Sequence, residues 1–288
     1  MISIIVSSRS KELIQQFSQN VKATVGVAYE IITIANAQGQ YGICEAYNKG
    51  ARQSKFDTLC FVHEDVSFQT TDWGRKVVEY LRNPTVGLVG VAGATHKSAN
   101  VSAWWDTPAQ YHRAYIQHPY HERLTDLNLN PDRTSLAEVV TLDGVFLATR
   151  RDVWAQFEFD QQRLRGFHFY DTDFSTAVRT KYKVVVTYEI SLTHFSSGNP
   201  NTTDWVDHAL TYHKKWRRHL PALVQPESLI NKFLLERIAG FNIILRSRNI
   251  RYSTWSVAKF TLRYVRFPYQ LMLLLSYIRL WVKEQLGR

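Results

Sequence analysis

Three short stretches carry the side chains that could do chemistry. In "TLCFVHEDVSF" (58–68) an apolar run, Leu59 to Val62, ends abruptly in His63, Glu64 and Asp65. An imidazole and two carboxylates at the end of a core strand are costly unless something binds them. Carboxylate oxygens suit a hard divalent cation that shares its shell with substrate phosphates. A helix cap or a surface turn would use the same aspartate for structure alone. In "GFHFYDTDFSTAVR" (166–179), Asp171 and Asp173 open an expected helix behind Gly166, Phe167, His168, Phe169 and Tyr170. Acids in a first helical turn answer the macrodipole whatever else they do, while aromatic rims line sugar and base sites. In "SLTHFSSGNPNTTDW" (191–205), His194 follows an apolar strand and precedes a Ser-Ser-Gly-Asn loop. It is either a satisfied structural histidine or a metal or phosphate contact.

The elements that must hold these residues alternate. Residues 2–7, 29–36, 58–65 and 86–93 read as strands, the last ending in glycine. Helical segments lie between them, one opening after Gly42 and one stopped by Pro84. The strand sequences are apolar throughout rather than alternating, which argues for a mostly parallel sheet covered on both faces. Ligands of such sheets sit beyond the carboxyl ends of the strands. The polar ends Ser7-Ser8-Arg9, Asn36 and His63-Glu64-Asp65 should therefore gather on one rim. Residues 97–136, rich in aromatics, histidine and proline with weak periodicity, read as a long mobile binding loop over that rim. Regular structure resumes with "EVVTLDGVFLATRRDVW" (138–154), which turns at Asp143-Gly144.

Composition narrows the class. The 288 residues carry a net charge of +10, unevenly spread. From Lys214 onward 15 Lys and Arg face three acids, a net of +12, so the first 213 residues hold 20 basic and 22 acidic groups, a net of −2. A near-neutral body with a basic tail points to a polyanion, either an anionic membrane surface or nucleic acid. The tail has no zinc-ligand spacing, and its high apolar content disfavours nucleic acid. A spanning helix needs about 20 apolar residues, and the best candidate, Phe267 to Ile278, has 12 between Arg266 and Arg279. Basic amphipathic helices in the bilayer interface, with Trp255, Tyr277 and Trp281 at the boundary, fit better than a span. A helical subdomain or dimer interface with a solvated basic face is the bland alternative. Two cysteines, one of them (Cys60) in an expected core strand, disfavour a disulfide framework. The N-terminus enters an apolar run with no basic leader. Both features lead to the expectation of a cytoplasmic protein, and the basic tail to one peripheral on the inner face of the membrane. The expected division is a catalytic domain over 1–213 and a basic helical region over 214–288.

The order "ISIIVSSR", "GICEAYNKGA", "CFVHEDV", "GLVGVAGA", "VTLDGVFLATRRDVW", "HFYDTDFSTAVR", "TH" resembles the inverting family 2 glycosyltransferases. More narrowly, it is similar to the branch that includes streptococcal surface-glycan galactosyltransferase-like domains. The resemblance covers roughly residues 1–205 and rests on order and spacing rather than on one motif. It implies an α/β GT-A (Rossmann-like) fold, with the C-terminal basic helices as an extension. It also implies a nucleotide-sugar donor, UDP-galactose being the first choice, and a divalent cation, Mn²⁺ or Mg²⁺. The implied acceptor is a hydroxyl of a growing cell-surface glycan, carried on lipid.

Residue by residue, the resemblance assigns Ser7, Ser8, Arg9 and Asn36 to the base and ribose. It puts Ala46, Asn48 and Gly50 on a helix beside the nucleotide. Asp65 matches the final acid of the metal-holding DxD motif; His63 stands at its first position, so ligation there is open, and Glu64 lies between. Asp143 and Gly144 match the donor-sugar and acceptor contacts. Asp171 matches the base of an acidic element that also contains Asp173, with Tyr170 in place of a preceding glutamate. His194 matches a histidine that completes the metal or diphosphate site. Two rivals remain. A nucleotidyltransferase would need a glycine-rich, lysine-bearing phosphate loop that the N-terminal region lacks. A non-catalytic glycan- or nucleic-acid-binding module would act through the basic tail.

Overall fold

The computed structural model describes residues 1–120, 123–195 and 202–286. In chain order it contains β1 (Ile2–Ser8), α1 (Lys11–Thr24), β2 (Tyr29–Ala35), α2 (Ile43–Gln53), β3 (Thr58–Val62), β4 (Val66–Phe68), α3 (Trp73–Arg82), β5 (Val86–Gly90) and β6 (Ala92–Ala94). Next come β7 (His96–Lys97), β8 (His112–Tyr120), β9 (Arg123–Leu129), β10 (Leu136–Val139), β11 (Thr141–Leu142), β12 (Phe146–Arg150), α4 (Arg151–Phe157) and α5 (Tyr170–Arg179). The chain ends with β13 (Lys183–Thr187), β14 (Leu192–His194), α6 (Thr203–Trp216), β15 (Ala222–Leu223), α7 (Leu229–Asn249), α8 (Thr254–Tyr264) and α9 (Gln270–Leu286). Two compact units result: Met1–Ala94 with Arg113–Gly198, and Thr95–His112 with Asn199–Arg288.

The first unit is built on a seven-stranded sheet in the order β10-β13-β5-β12-β3-β1-β2. Ile2, Ile4, Ile5 and Val6 are all buried, so β1 is covered on both faces, as its unbroken apolar sequence requires. β1 runs parallel to β2 and β3, and β13 parallel to β5, whereas β12 and β10 are antiparallel to their neighbours. Five of the seven strands, β1, β2, β3, β5 and β13, therefore run in one direction, so the sheet is mostly parallel, with β10 and β12 running against them. Helix α2 lies close on β1 because residue 50 is glycine: a Cβ there would run into the Ile5 side chain. Aromatic rings fill the space behind, with Phe159 stacked on Phe174 at 4.4 Å and Phe68 on Trp73 at 4.1 Å.

A second sheet of the same unit runs β11-β6-β8-β14-β4, with β9 added on β8. The apolar run 86–93 is divided at Val91 between the two sheets, as β5 and β6, instead of forming one strand. The 97–136 segment also departs from expectation. It contains β8 and β9, paired antiparallel from Ala114–Leu129 to Tyr120–Arg123. Ala114 and Ile116 are buried on one face of β8. Pairing and alternate burial hold this segment as strand, which a search for a continuous apolar run misses.

In the second unit, residues 95–112 pack among helices. β7 pairs with β15. The fully buried Glu236 carboxylate accepts the Ser98 hydroxyl and the Ala99 and Asn100 N–H groups. Arg246 donates to Asp106 and lies 4.2 Å over the Trp205 ring. Gly240 brings α7 against α9: a Cβ there would stand 3.1 Å from the Leu273 Cα. No helix among the described residues is long and apolar enough to cross a membrane.

Candidate active site

Backbone register brings the first cluster together. The His63 N–H donates to the Val145 carbonyl, which anchors the residue that follows β3. β14 runs antiparallel to β4 with His194 opposite Val66, and the Phe195 N–H donates to the Asp65 carbonyl. Asp65 and His194 are thus neighbours across a ladder. His63 Nδ1 stands 3.4 Å from His194 Nε2, and that nitrogen is 3.4 Å from Asp65 Oδ1. One ligand atom from each of the three residues lies within 4.8 Å of the other two. Burial, and then the neighbouring His194 ring, push the His63 imidazole down to about 4, so it is neutral at pH 7. Burial alone would raise Asp65, but its bond to His194 and the two nearby rings outweigh that and lower it.

The Tyr170 proton bears on the direction of His63. The Tyr170 hydroxyl donates to the Gly144 carbonyl (3.1 Å) and has no second proton. With that proton on the Gly144 carbonyl, the 2.7 Å bond between His63 Nε2 and the hydroxyl is donated by the imidazole, in the tautomer that protonates Nε2. The remaining nitrogen, Nδ1, carries its lone pair toward His194 and Asp65. A neutral imidazole held by a hydrogen bond on its far nitrogen is how proteins orient a metal-binding histidine. Two imidazoles and a carboxylate suit a divalent transition metal.

The same glycine reaches the second cluster. The Gly144 N–H donates to Asp171 Oδ2 (2.9 Å), and the Thr172 N–H donates to Asp171 Oδ1 (2.7 Å). His63, Tyr170, Gly144 and Asp171 form one hydrogen-bonded sequence. Glycine is required here because a Cβ at 144 would land on the Tyr170 hydroxyl. Asp171 sits in the first turn of α5, behind Phe169 in a left-handed conformation (φ 64°) that an aromatic residue adopts only at a cost. Burial and then the charge of Asp143 raise its carboxyl to about 7, against the two N–H donors that pull it down. A half-protonated carboxylate near neutral pH is suited to accepting a proton.

The other expected site residues fall into two groups. On the rim, the Glu64 carboxylate accepts the Ser8 hydroxyl (2.7 Å) and the Arg9 and Ser10 N–H groups, tying β3 to the β1–α1 turn. Asn36 donates to Ser7 Oγ and to the Tyr41 carbonyl, and accepts the Tyr41 N–H. Asp143 Oδ1 accepts the Val145 N–H. Ser7, Ser8, Arg9, Asn36 and Glu64 are thus brought together, as the parallel register of β1, β2 and β3 demands.

The second group lies deeper. Ala46, Asn48 and Gly50 are buried on α2. Asn48 donates to the Phe159 carbonyl and Gln161, and accepts the Trp154 indole and the Phe159 N–H. That leaves its amide no bonding capacity for a ligand. Asp173 is buried, and two residues along a helix is a turn of about 200°, so it does not share the face of Asp171. The Ser-Ser-Gly-Asn loop after His194 lies outside the described residues, as does the Trp281 side chain.

His118 was missed by sequence reasoning. β8 runs parallel to β14 with Gln117 beside Thr193, so His118 comes next to His194, ring centroids 5.5 Å apart. Its imidazole is lowered by burial and by His194. The signal was the alternation Ala114, Ile116, His118, which puts the histidine on the buried face of a strand.

The family model described as "Glycosyltransferase like family" matches residues 3–219. The chain belongs to that family. Among solved structures, the chain resembles the mannosyltransferase PcManGT from Pyrobaculum calidifontis in complex with GDP-Man and Mn²⁺. That likeness has a TM-score of 0.53 at 12% identity, over 96% of this chain and 79% of that one. GalNAc-T7 with UDP, GalNAc and Mn²⁺ matches at a TM-score of 0.49 and 9% identity, over 69% of this chain and 45% of that one. S. aureus TarS matches at 0.49 and 9%, over 85% and 43%. The chain thus spans less than half of the GalNAc-T7 and TarS chains. No curated protein matches its sequence. The α/β architecture, a central sheet flanked by helices, is that of the GT-A glycosyltransferases.

Proposed function

We propose that this glycosyltransferase moves a sugar from a nucleoside diphosphate donor to a glycan hydroxyl with inversion, Asp171 serving as the base. The observation that carries the reading is the hydrogen-bonded sequence from His63 through Tyr170 and Gly144 to Asp171. It holds a candidate cation site and a candidate base in fixed relation. Asp171 Oδ takes the proton from the acceptor hydroxyl as that oxygen attacks the anomeric carbon, so one displacement turns an α-linked donor into a β-linked product. The Gly144 and Thr172 N–H groups aim the carboxylate, and its raised pKa gives it proton affinity near pH 7. Asp65, His194 and His63 through Nδ1 would hold Mn²⁺ or Mg²⁺, whose charge, when bound, offsets that on the departing diphosphate. Ser7, Ser8, Arg9 and Asn36 border the same rim, in keeping with a base and ribose there.

UDP-sugars are the favoured donors and UDP-galactose the first choice. The acceptor is a growing surface glycan of the lipopolysaccharide or capsule type, carried on lipid. The basic C-terminal helices suit an enzyme working at the inner face of a membrane. Calorimetry with UDP, GDP and dTDP, with and without Mn²⁺, tests the donor site. Metal-dependent binding of one nucleotide, absent in Asp65→Ala, is the expected result. No binding of any nucleotide would overturn the transferase reading in favour of a non-catalytic module.

A further inference from the structure

The C-terminal ends of α6 and α8 meet at a cavity of about 750 Å³ lined by Lys214, Arg217, Arg218, Arg263, Tyr264 and Arg266. Three of the five cations surround one ring: Lys214 Nζ and the Arg217 and Arg263 guanidinium carbons lie 5.5, 5.7 and 5.4 Å from the Tyr264 centroid. Among the described residues no carboxylate forms an ion pair with any of the five. Four acids of the same unit are engaged elsewhere. Asp106 holds Arg246, Asp207 accepts the Tyr252 hydroxyl, Glu227 accepts Tyr111 and Asn231, and Glu236 closes the 98–100 turn. Helix C-termini attract cations, but each offsets only about half a charge. Two ends leave most of a fivefold positive charge uncompensated.

Apolar side chains continue from this cavity along the chain. Phe267, next to Arg266, is 72% exposed. On α9, Leu271, Leu275, Ile278 and Val282 are exposed at intervals of four, three and four residues, which is one helix face, while Leu273 and Ser276 on the other side are buried. α7 repeats the pattern with Ile230, Leu234, Phe241 and Leu245. A free anion would use the cations and leave these stripes in water. An amphiphile with an anionic head uses both.

We propose that the cavity binds the phosphate of anionic lipid headgroups, with the α9 stripe entering the acyl boundary. This deepens the membrane part of the reading above and is independent of sugar transfer.

Flotation of the full chain with vesicles tests it, using phosphatidylcholine alone and phosphatidylcholine doped with phosphatidylglycerol. Binding should require the anionic lipid and survive inorganic phosphate or pyrophosphate at matched ionic strength. Each cation at a membrane surface contributes about 1 kcal/mol, so the Arg263→Gln/Arg266→Gln double variant should bind roughly 30-fold more weakly. The control Lys22→Gln/Lys55→Gln makes the same charge change on exposed positions of the first unit and should lose far less. Equal losses in the two doubles would mean diffuse surface charge and would overturn the cavity. Competition by free pyrophosphate, or retention on duplex DNA in place of vesicles, would overturn the lipid. Leu275→Ser/Ile278→Ser should also weaken vesicle binding, and unchanged binding would overturn the α9 stripe. Donor calorimetry on the same variants should match wild type, so a failed lipid site and a failed donor site give separate results.

Discussion

Asp65 and Asp171 belong to one rim and one fold unit, yet their surroundings drive them apart. Asp65 ends the strand run that carries His63 and faces two imidazoles; burial raises it, and its partners more than reverse that. Asp171 starts a helix, accepts two backbone N–H groups and still rises to about 7, because burial and Asp143 outweigh them. Identical side chains separated in this way suit the two tasks proposed for them: one to stay ionised beside a cation, the other to exchange a proton. The comparison also explains Gly144, which touches both halves through Tyr170 and Asp171. The strongest way to break it is Asp171→Asn, which keeps the shape and removes the proton acceptor. Turnover should fall by about 10²–10⁴-fold, with nucleotide binding by calorimetry unchanged. Retained turnover would move the base elsewhere.

Asp65→Ala attacks the other side. It leaves His63 and His194 without their carboxylate, and metal-dependent nucleotide binding should weaken by at least about 100-fold. Affinity in the absence of metal should change little. A smaller, sharper probe is Tyr170→Phe. Removing the hydroxyl frees His63 Nε2 and the Gly144 carbonyl while the ring still packs. Mn²⁺ affinity, read by calorimetry with UDP present, should drop by about 10-fold. If Mn²⁺ affinity is unmoved, the His63 orientation argued from the proton count is wrong.

How much of this comparison was legible in the sequence depends on what fixes each residue. The rim was readable, because apolar strands of parallel register must end together, and Ser8 and Glu64 do meet. The family resemblance anticipated both the GT-A architecture and the glycosyltransferase class. What stayed hidden was set by pairing between distant segments. His118 is beside His194 only through the β8–β14 register, and β8 itself lay within a stretch read as loop. Asn48 looked available from its helix, yet its four hydrogen bonds go to residues about a hundred positions away. Opposite shifts on two aspartates depend on burial, which no local pattern encodes.

The pH dependence follows from the Asp171 side alone. Only the carboxylate accepts the proton, so with a pKa of about 7 the competent fraction grows as pH rises through neutrality. Below that the rate should fall by about tenfold per pH unit, measured as kcat/KM. Asp171→Asn should flatten this limb. A limb that persists in the variant would belong to another group.

The smallest effect tests the same carboxylate through stability. A carboxyl raised from 3.8 to about 7 in the folded state favours the protonated form. Its contribution is therefore fully present below about pH 4 and is lost as pH rises to 7. At pH 8 the wild-type fold carries an ionised, half-buried carboxylate beside Asp143 that asparagine does not impose. Asp171→Asn should then melt a few degrees higher at pH 8, since 1 kcal/mol moves Tm by about 2–4 °C in a chain of this size. The difference should vanish near pH 4. Higher stability joined to lost turnover is the mark of a residue kept for chemistry; a variant that melts lower at pH 8 would show instead that Asp171 is there to cap α5.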